Sequence, residues 1–135
     1  PVWGNKVLLC LRAIEPRANF WTLPAGFMEL AESISEGAER ETQEEAGVKI
    51  KLGGLYTVID IPHVDQVHVY FLAEALGPEL DPGPETLEAR WFGFDEIPWD
   101  DLAFKSVYTT LKHYLSDRES GAFPTHHYAL GGPKK

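Results

Sequence analysis

The sequence predicts an α/β (α+β) domain in which a mixed sheet carries helices packed against it. Three observations predict it. β-rich runs and helical runs follow the order strand, helix, several strands, helix. A helix over 34–46 has both its start and its stop written in the sequence. A second helical segment repeats apolar residues at three- and four-residue spacing. Periodicity sets the class and leaves the strand order open.

The elements follow in chain order. Residues 6–13 read as a strand after a turn at Gly4-Asn5, and Pro16 to Asn19 reads as a loop. Phe20 to Leu23 is a short apolar segment, and 27–32 carries no period. Ser33 reads as a helix N-cap, with Glu36 three residues on completing a capping box. The helix then runs from Ile34 to Ala46, and Gly47 supplies a left-handed stop. Strands are expected at 48–52, 55–61, 66–75 and 88–94, with a loop over 77–84. Leu102 to Arg118 is the second helix, its stripe formed by Phe104, Val107, Tyr108, Leu111, Tyr114 and Leu115. Residues 131–135 read as a loose tail. The 135 residues, 44% hydrophobic, form one domain over 1–135 with enough apolar material for a core.

Charge and cysteine usage narrow the partners. A net charge of -9 argues against a nucleic-acid groove, which needs a basic stripe. No apolar run is long enough to span a bilayer, so no membrane partner is expected. The single Cys10 sits in an apolar run and reads as core, and one cysteine excludes an internal disulfide. Such usage fits the cytoplasm. His63, His68, His113, His126 and His127 lack ligand spacing, so zinc is not expected.

The chemistry concentrates in the first helix. At about 100° per residue, Glu41, Glu44 and Glu45 fall within an arc of roughly 100°. Like charges so placed repel one another unless a cation sits among them, and clustered hard oxygens suit Mg²⁺ or Mn²⁺. Gly37 lies one turn earlier on the same side and is expected to leave room there, while Ala38, Thr42 and Ala46 face the sheet. Glutamates at this spacing alone are most often a solvated helix face. The wider pattern changes that reading: Gly26, five residues, Glu32, seven residues, Arg40-Glu41, then Glu44-Glu45, Gly47 and Val48.

This pattern resembles the Nudix box: G, five residues, E, seven residues, R-E-U-x-E-E-x-G-U, where U is aliphatic. Eight of nine constrained positions match, and Thr42 departs, keeping a β-branched shape where the family prefers an aliphatic residue. The resemblance extends to Trp21, Pro24-Ala25-Gly26-Phe27, Trp91-Phe92 and Glu96-Ile97-Pro98. It implies an α/β/α sandwich with a mixed central sheet and a catalytic loop-helix-loop. The phrase Ile61 to Val67 is similar to a branch acting on ADP-ribose or FAD. Members of that branch often carry an N-terminal zinc ribbon, which this sequence lacks, so upstream native residues are expected.

The resemblance also implies roles. Glu41, Glu44 and Glu45 are the metal ligands, with the carbonyl of Gly26. Arg40 orients a box carboxylate, Glu32 ties the loop to the helix, and Glu85 and Glu88 are the candidate bases. Arg12 is a candidate for a phosphate contact, and Phe20 and Trp21 for stacking a base, against the ordinary alternative that such aromatics serve the core. The implied activity is Mg²⁺-dependent hydrolysis of the pyrophosphate bond in a nucleoside-diphosphate derivative: ADP-ribose, FAD or NAD(H). The alternatives are a nucleoside triphosphate pyrophosphohydrolase and a non-catalytic nucleotide sensor. His126-His127-Tyr128 is expected either to pack back on the domain or to join a homodimer interface.

Overall fold

The computed structural model describes residues 1–25 and 29–130. β1 (Val2–Trp3) turns at Gly4 into β2 (Lys6–Arg12), and side-chain alternation along β2 divides the core in two. Val7 and Leu9 enter one cluster with Tyr70, Phe92, Leu102, Val107 and Leu111. Leu8 and Cys10 enter another with Ala46, Val48 and Ala75. The sheet therefore lies between α1 (Ile34–Ala46) and α2 (Lys105–Ser120). Cys10 is buried as expected, and burial pushes its thiol up to about 12.

The sheet is completed by β3 (Trp21–Thr22), β4 (Ile50–Ile61), β5 (Gln66–Ala75), β6 (Thr86–Gly93) and β7 (His126–Ala129). Its order is β3-β2-β1-β5-β4-β7, with β6 also pairing β2. The β4–β7 and β1–β5 pairs are parallel and the others antiparallel, which makes the sheet mixed. β1 reaches β5 through the single register pair Val2↔Glu74. Below it a cleft of about 360 Å³ opens between the two halves of the sheet, lined by Val7 and Leu23 on one side and Tyr70 and Leu72 on the other. No helix is long and apolar enough to cross a membrane among the described residues.

The first helix keeps its expected bounds because its ends are set locally. The Ser33 hydroxyl accepts from the Glu36 amide, and the Glu36 carboxylate accepts from the Ser33 amide. Gly47 stops the helix at φ 68°, and a side chain there would collide with the Asp81 backbone.

Two sequence expectations are corrected, and one open alternative is settled within the chain. Strands 48–52 and 55–61 are one strand, β4, whose register shifts on either side of Leu55, next to Gly53-Gly54. The glycines mark an irregularity, not an end. The second helix starts at Lys105, because Leu102 to Phe104 is extended and Ala103 N–H donates to the Trp21 carbonyl at 2.7 Å. Residues 126–129 pack back as the edge strand β7. There His126 Nε2 lies 2.8 Å from Asp117, the Tyr56 hydroxyl donates to the same carboxylate at 2.5 Å, and His126 stacks on His113 at 3.9 Å. The tail 131–135 lies outside the described residues.

Candidate active site

The box helix and the loop before it are fastened by one guanidinium. Arg40 Nε donates to Glu32 at 2.7 Å and Nη2 to the other Glu32 oxygen at 3.1 Å. Its Nη1 donates to Glu41 at 2.5 Å and to Glu44 at 3.0 Å, and Glu29 lies 3.3 Å from Nε. Glu32 in turn accepts from the Glu29 amide at 2.9 Å. These bonds hold the Glu32 carboxyl below its ordinary range, through the Arg40 hydrogen bond first. The same bond keeps the guanidinium protonated. A planar fork can address two carboxylates at once, which a lysine ammonium cannot do with the same geometry.

Glu45 has a different environment. It is half-buried, its carboxylate accepts from the Ala25 amide at 3.0 Å, and it lies beside the Glu41 carboxyl. Burial raises its affinity for a proton, and the Glu41 contact and charge raise it further. The Ala25 amide and the Arg12 charge oppose this without cancelling it. Two neighbouring carboxylates repel each other unless one takes a proton or a cation lies between them. The pair therefore seeks positive charge, and a divalent cation is the alternative to that proton. The donor set fits a hard cation on this ground. Among the described residues no three acidic, His or Cys side chains are arranged to hold a metal ion. Glu41 and Glu44 are turned toward Arg40 and Glu45 toward Ala25, while Gly26 lies outside the described residues.

The remaining positions divide by face. Thr42 is buried, and its hydroxyl donates to the Ala38 carbonyl at 2.8 Å, away from the carboxylates. Gly37 is buried too. Gly83 N–H reaches the Glu45 carbonyl at 3.4 Å, and the Glu85 carbonyl accepts from Ala13. Glu85 thus follows a turn seated on the C-terminal end of the box helix. Glu88, on β6, pairs with Leu11 of β2. Its neighbour Ala89 packs on the α1 side, so alternation sends Glu88 from the α2 side. Trp21 packs edge-on against Phe92 at 4.8 Å and is largely core.

Arg12 and Phe20 lie at the rim. Arg12 stands over the Phe104 ring at 5.2 Å, and Phe20 lies 4.0 Å beneath the Arg17 guanidinium. The sequence reading did not single out Arg17 or Phe104 for the site. Arg17 sat in a loop, Phe104 in a helical stripe, and nothing in a linear pattern brings positions so far apart together. His68 is satisfied within the fold, with Nδ1 2.5 Å from Ser106 and Nε2 3.0 Å from Gln66.

The model of the NUDIX domain matches residues 2–113. The ADP-ribose pyrophosphatase of Methanocaldococcus jannaschii is 34% identical over 104 residues, 74% of this chain and 60% of that protein. The NAD-capped RNA hydrolase NudC of Salmonella heidelberg is 33% identical over 92 residues, 67% of this chain and 36% of that protein. The chain thus spans less than two thirds of these curated relatives. A solved NUDIX hydrolase from Nitrosomonas europaea superposes with a TM-score of 0.90 at 47% identity, covering 96% of this chain and 75% of that one. An ADP-ribose pyrophosphatase from Streptococcus suis, 22% identical with a TM-score of 0.71, shares the fold over 94% of this chain and 92% of its own. With its box, its mixed sheet between two helices and a match over most of its length, the chain belongs to the Nudix domain family.

Proposed function

We propose that this chain is a Mg²⁺-dependent pyrophosphohydrolase that cleaves a nucleoside-diphosphate derivative into two monophosphates, with ADP-ribose the first substrate to test. The observation that carries this reading is the half-buried, adjacent Glu41–Glu45 pair, which concentrates negative charge that a proton or a cation relieves. Glu41 and Glu45 hold the cation, with Glu44 and the Gly26 carbonyl completing the set. When bound, the cation neutralises the diphosphate and favours attack by water at phosphorus. Arg40 keeps Glu41 and Glu44 on one side of the helix, so their charge stays directed at the substrate. Glu85, beside the turn that contacts the Glu45 carbonyl, is the first choice for accepting the proton of the attacking water. Glu88 leaves the other face and is the second.

The choice of ADP-ribose is supported by the archaeal relative's name, and the NudC relative adds NAD(H) as the next candidate. Incubation with ADP-ribose, FAD, NAD(H) and nucleoside triphosphates in Mg²⁺ or Mn²⁺, with products resolved by chromatography, tests the proposal. Two monophosphates from a dinucleotide or nucleotide sugar are expected, and none in excess chelator. Pyrophosphate release from triphosphates alone would replace this substrate class with the other. Tight nucleotide binding without turnover would make the protein a sensor.

A further inference from the structure

Arg12 and Arg17 carry guanidinium groups that form no salt bridge among the described residues, although the Arg12 charge is felt at Glu45. What sets these two apart is their place, since both are held on one rim beside Phe104. Each is fixed through Nε only. Arg12 donates to the Pro16 carbonyl at 2.8 Å, and Arg17 to the Ala103 carbonyl at 2.9 Å. Their Nη atoms, the ends that bind phosphate oxygens, have no acceptor among the described residues. Both groups gather at Phe104, which Arg12 overhangs directly and Arg17 reaches through the preceding residue.

The protein holds this arrangement at some cost. Arg17 and Asn19 adopt left-handed backbone at φ 64° and 68°, a region that residues with side chains seldom occupy. Phe20 N–H donates to the Arg17 carbonyl, which closes the loop. The rim also joins the box by a short route. Ala103 is bonded to Trp21, and four residues after Trp21 the Ala25 amide binds Glu45. Phe104 is only partly covered, and His68 borders its ring at 6.1 Å.

We propose that Arg12, Arg17 and Phe104 form the nucleoside subsite of the hydrolase proposed above. Phe104 and the Arg17 guanidinium, itself stacked on Phe20, give flat surfaces for the substrate's base. Arg12, nearer the box through its strand, takes the adjoining phosphate. Flat surfaces accept any base, so the subsite selects nucleotides over bare sugar phosphates rather than one base over another. The inference rests on the proposed reaction only for its substrate class.

Calorimetric titration tests it without turnover, because the probes contain no pyrophosphate bond. AMP and ribose 5-phosphate are titrated into the parent protein and the variants Phe104→Leu, Phe104→Tyr, Arg17→Gln and Arg12→Gln, each checked for folding by circular dichroism. The parent should bind AMP more tightly than ribose 5-phosphate. Phe104→Leu should weaken AMP by about tenfold, the scale of one base–aromatic stack, and leave ribose 5-phosphate unchanged. Phe104→Tyr should restore AMP binding, and Arg17→Gln should weaken AMP alone. Arg12→Gln should weaken both probes. Equal AMP affinity in the parent, Phe104→Leu and Arg17→Gln would overturn the subsite, as would equal loss of both probes in Phe104→Leu. Base-dependent binding in a protein that hydrolyses nothing would uphold the subsite and sink the reaction. Hydrolysis without base-dependent binding would do the reverse.

Discussion

At Glu45, burial and a neighbouring carboxyl act in the same direction, and the sign of their effect can be tested. A carboxyl whose pKa is raised on folding does not disfavour the fold below its ordinary value near 4.5. It destabilises the fold increasingly as pH rises toward the raised value. In cation-free solution at neutral pH, Glu45→Gln should therefore melt at the same temperature as the parent or higher. Turnover in Glu41→Gln and Glu45→Gln should fall by a factor on the order of a thousand, as expected when several kcal/mol of transition-state charge stabilisation is lost. Added Mg²⁺ should raise the melting temperature of the parent and not that of the variants. Glu39→Gln, exposed and off the carboxylate face, is the control and should match the parent in both measurements. Parent-like hydrolysis by both box variants would make this face merely solvated.

At the scale of elements, legibility followed the range of the forces involved. The box helix kept its expected bounds because Ser33, Glu36 and Gly47 act within a few residues of the backbone groups they satisfy. Three of the four carboxylates around Arg40 were within reach of the sequence, because the helical repeat sets Glu41 and Glu44 and the box pattern sets Glu32, while nothing in the pattern marks Glu29. β7 was not legible. His126 to Ala129 has no alternation to mark it, and it becomes a strand only because the β4 edge offers unpaired backbone groups. The rim at Phe104 was illegible for a similar reason, since extended chain at 102–104 depends on pairing with Trp21. The tail's role can be measured. Deletion from Gly121 onward removes β7 and leaves Asp117 without His126. The truncated protein should melt several degrees lower by calorimetry while keeping its kcat, because the box and both candidate bases precede the cut. Loss of kcat with the fold intact would tie β7 to the site.

For the whole molecule, acid should act chiefly through histidine. Burial lowers His68, and burial with the neighbouring His126 lowers His113, so both rings stay neutral in the fold at pH values where the unfolded chain binds protons. Stability from these two groups is complete above the ordinary histidine value of 6.5 and is lost as pH falls from there toward their lowered values. Burial alone would raise Asp117, but hydrogen bonds from Tyr56 and His126 outweigh it and hold the carboxyl low. Its contribution is complete above its ordinary value of 3.8 and is lost as pH falls from there toward the lowered one. The melting temperature should thus decline from about pH 6.5 downward, and His113→Gln should flatten the first part of that decline. The single register pair between β1 and β5 has a mechanical consequence. Two half-sheets joined so narrowly over an apolar cleft leave space that hydrostatic pressure can abolish by driving water inward. Under rising pressure, amide resonances of Val2, Val7 and Glu74 should shift before those of the long β4–β5 ladder. The molecule would then be most compressible along its own midline.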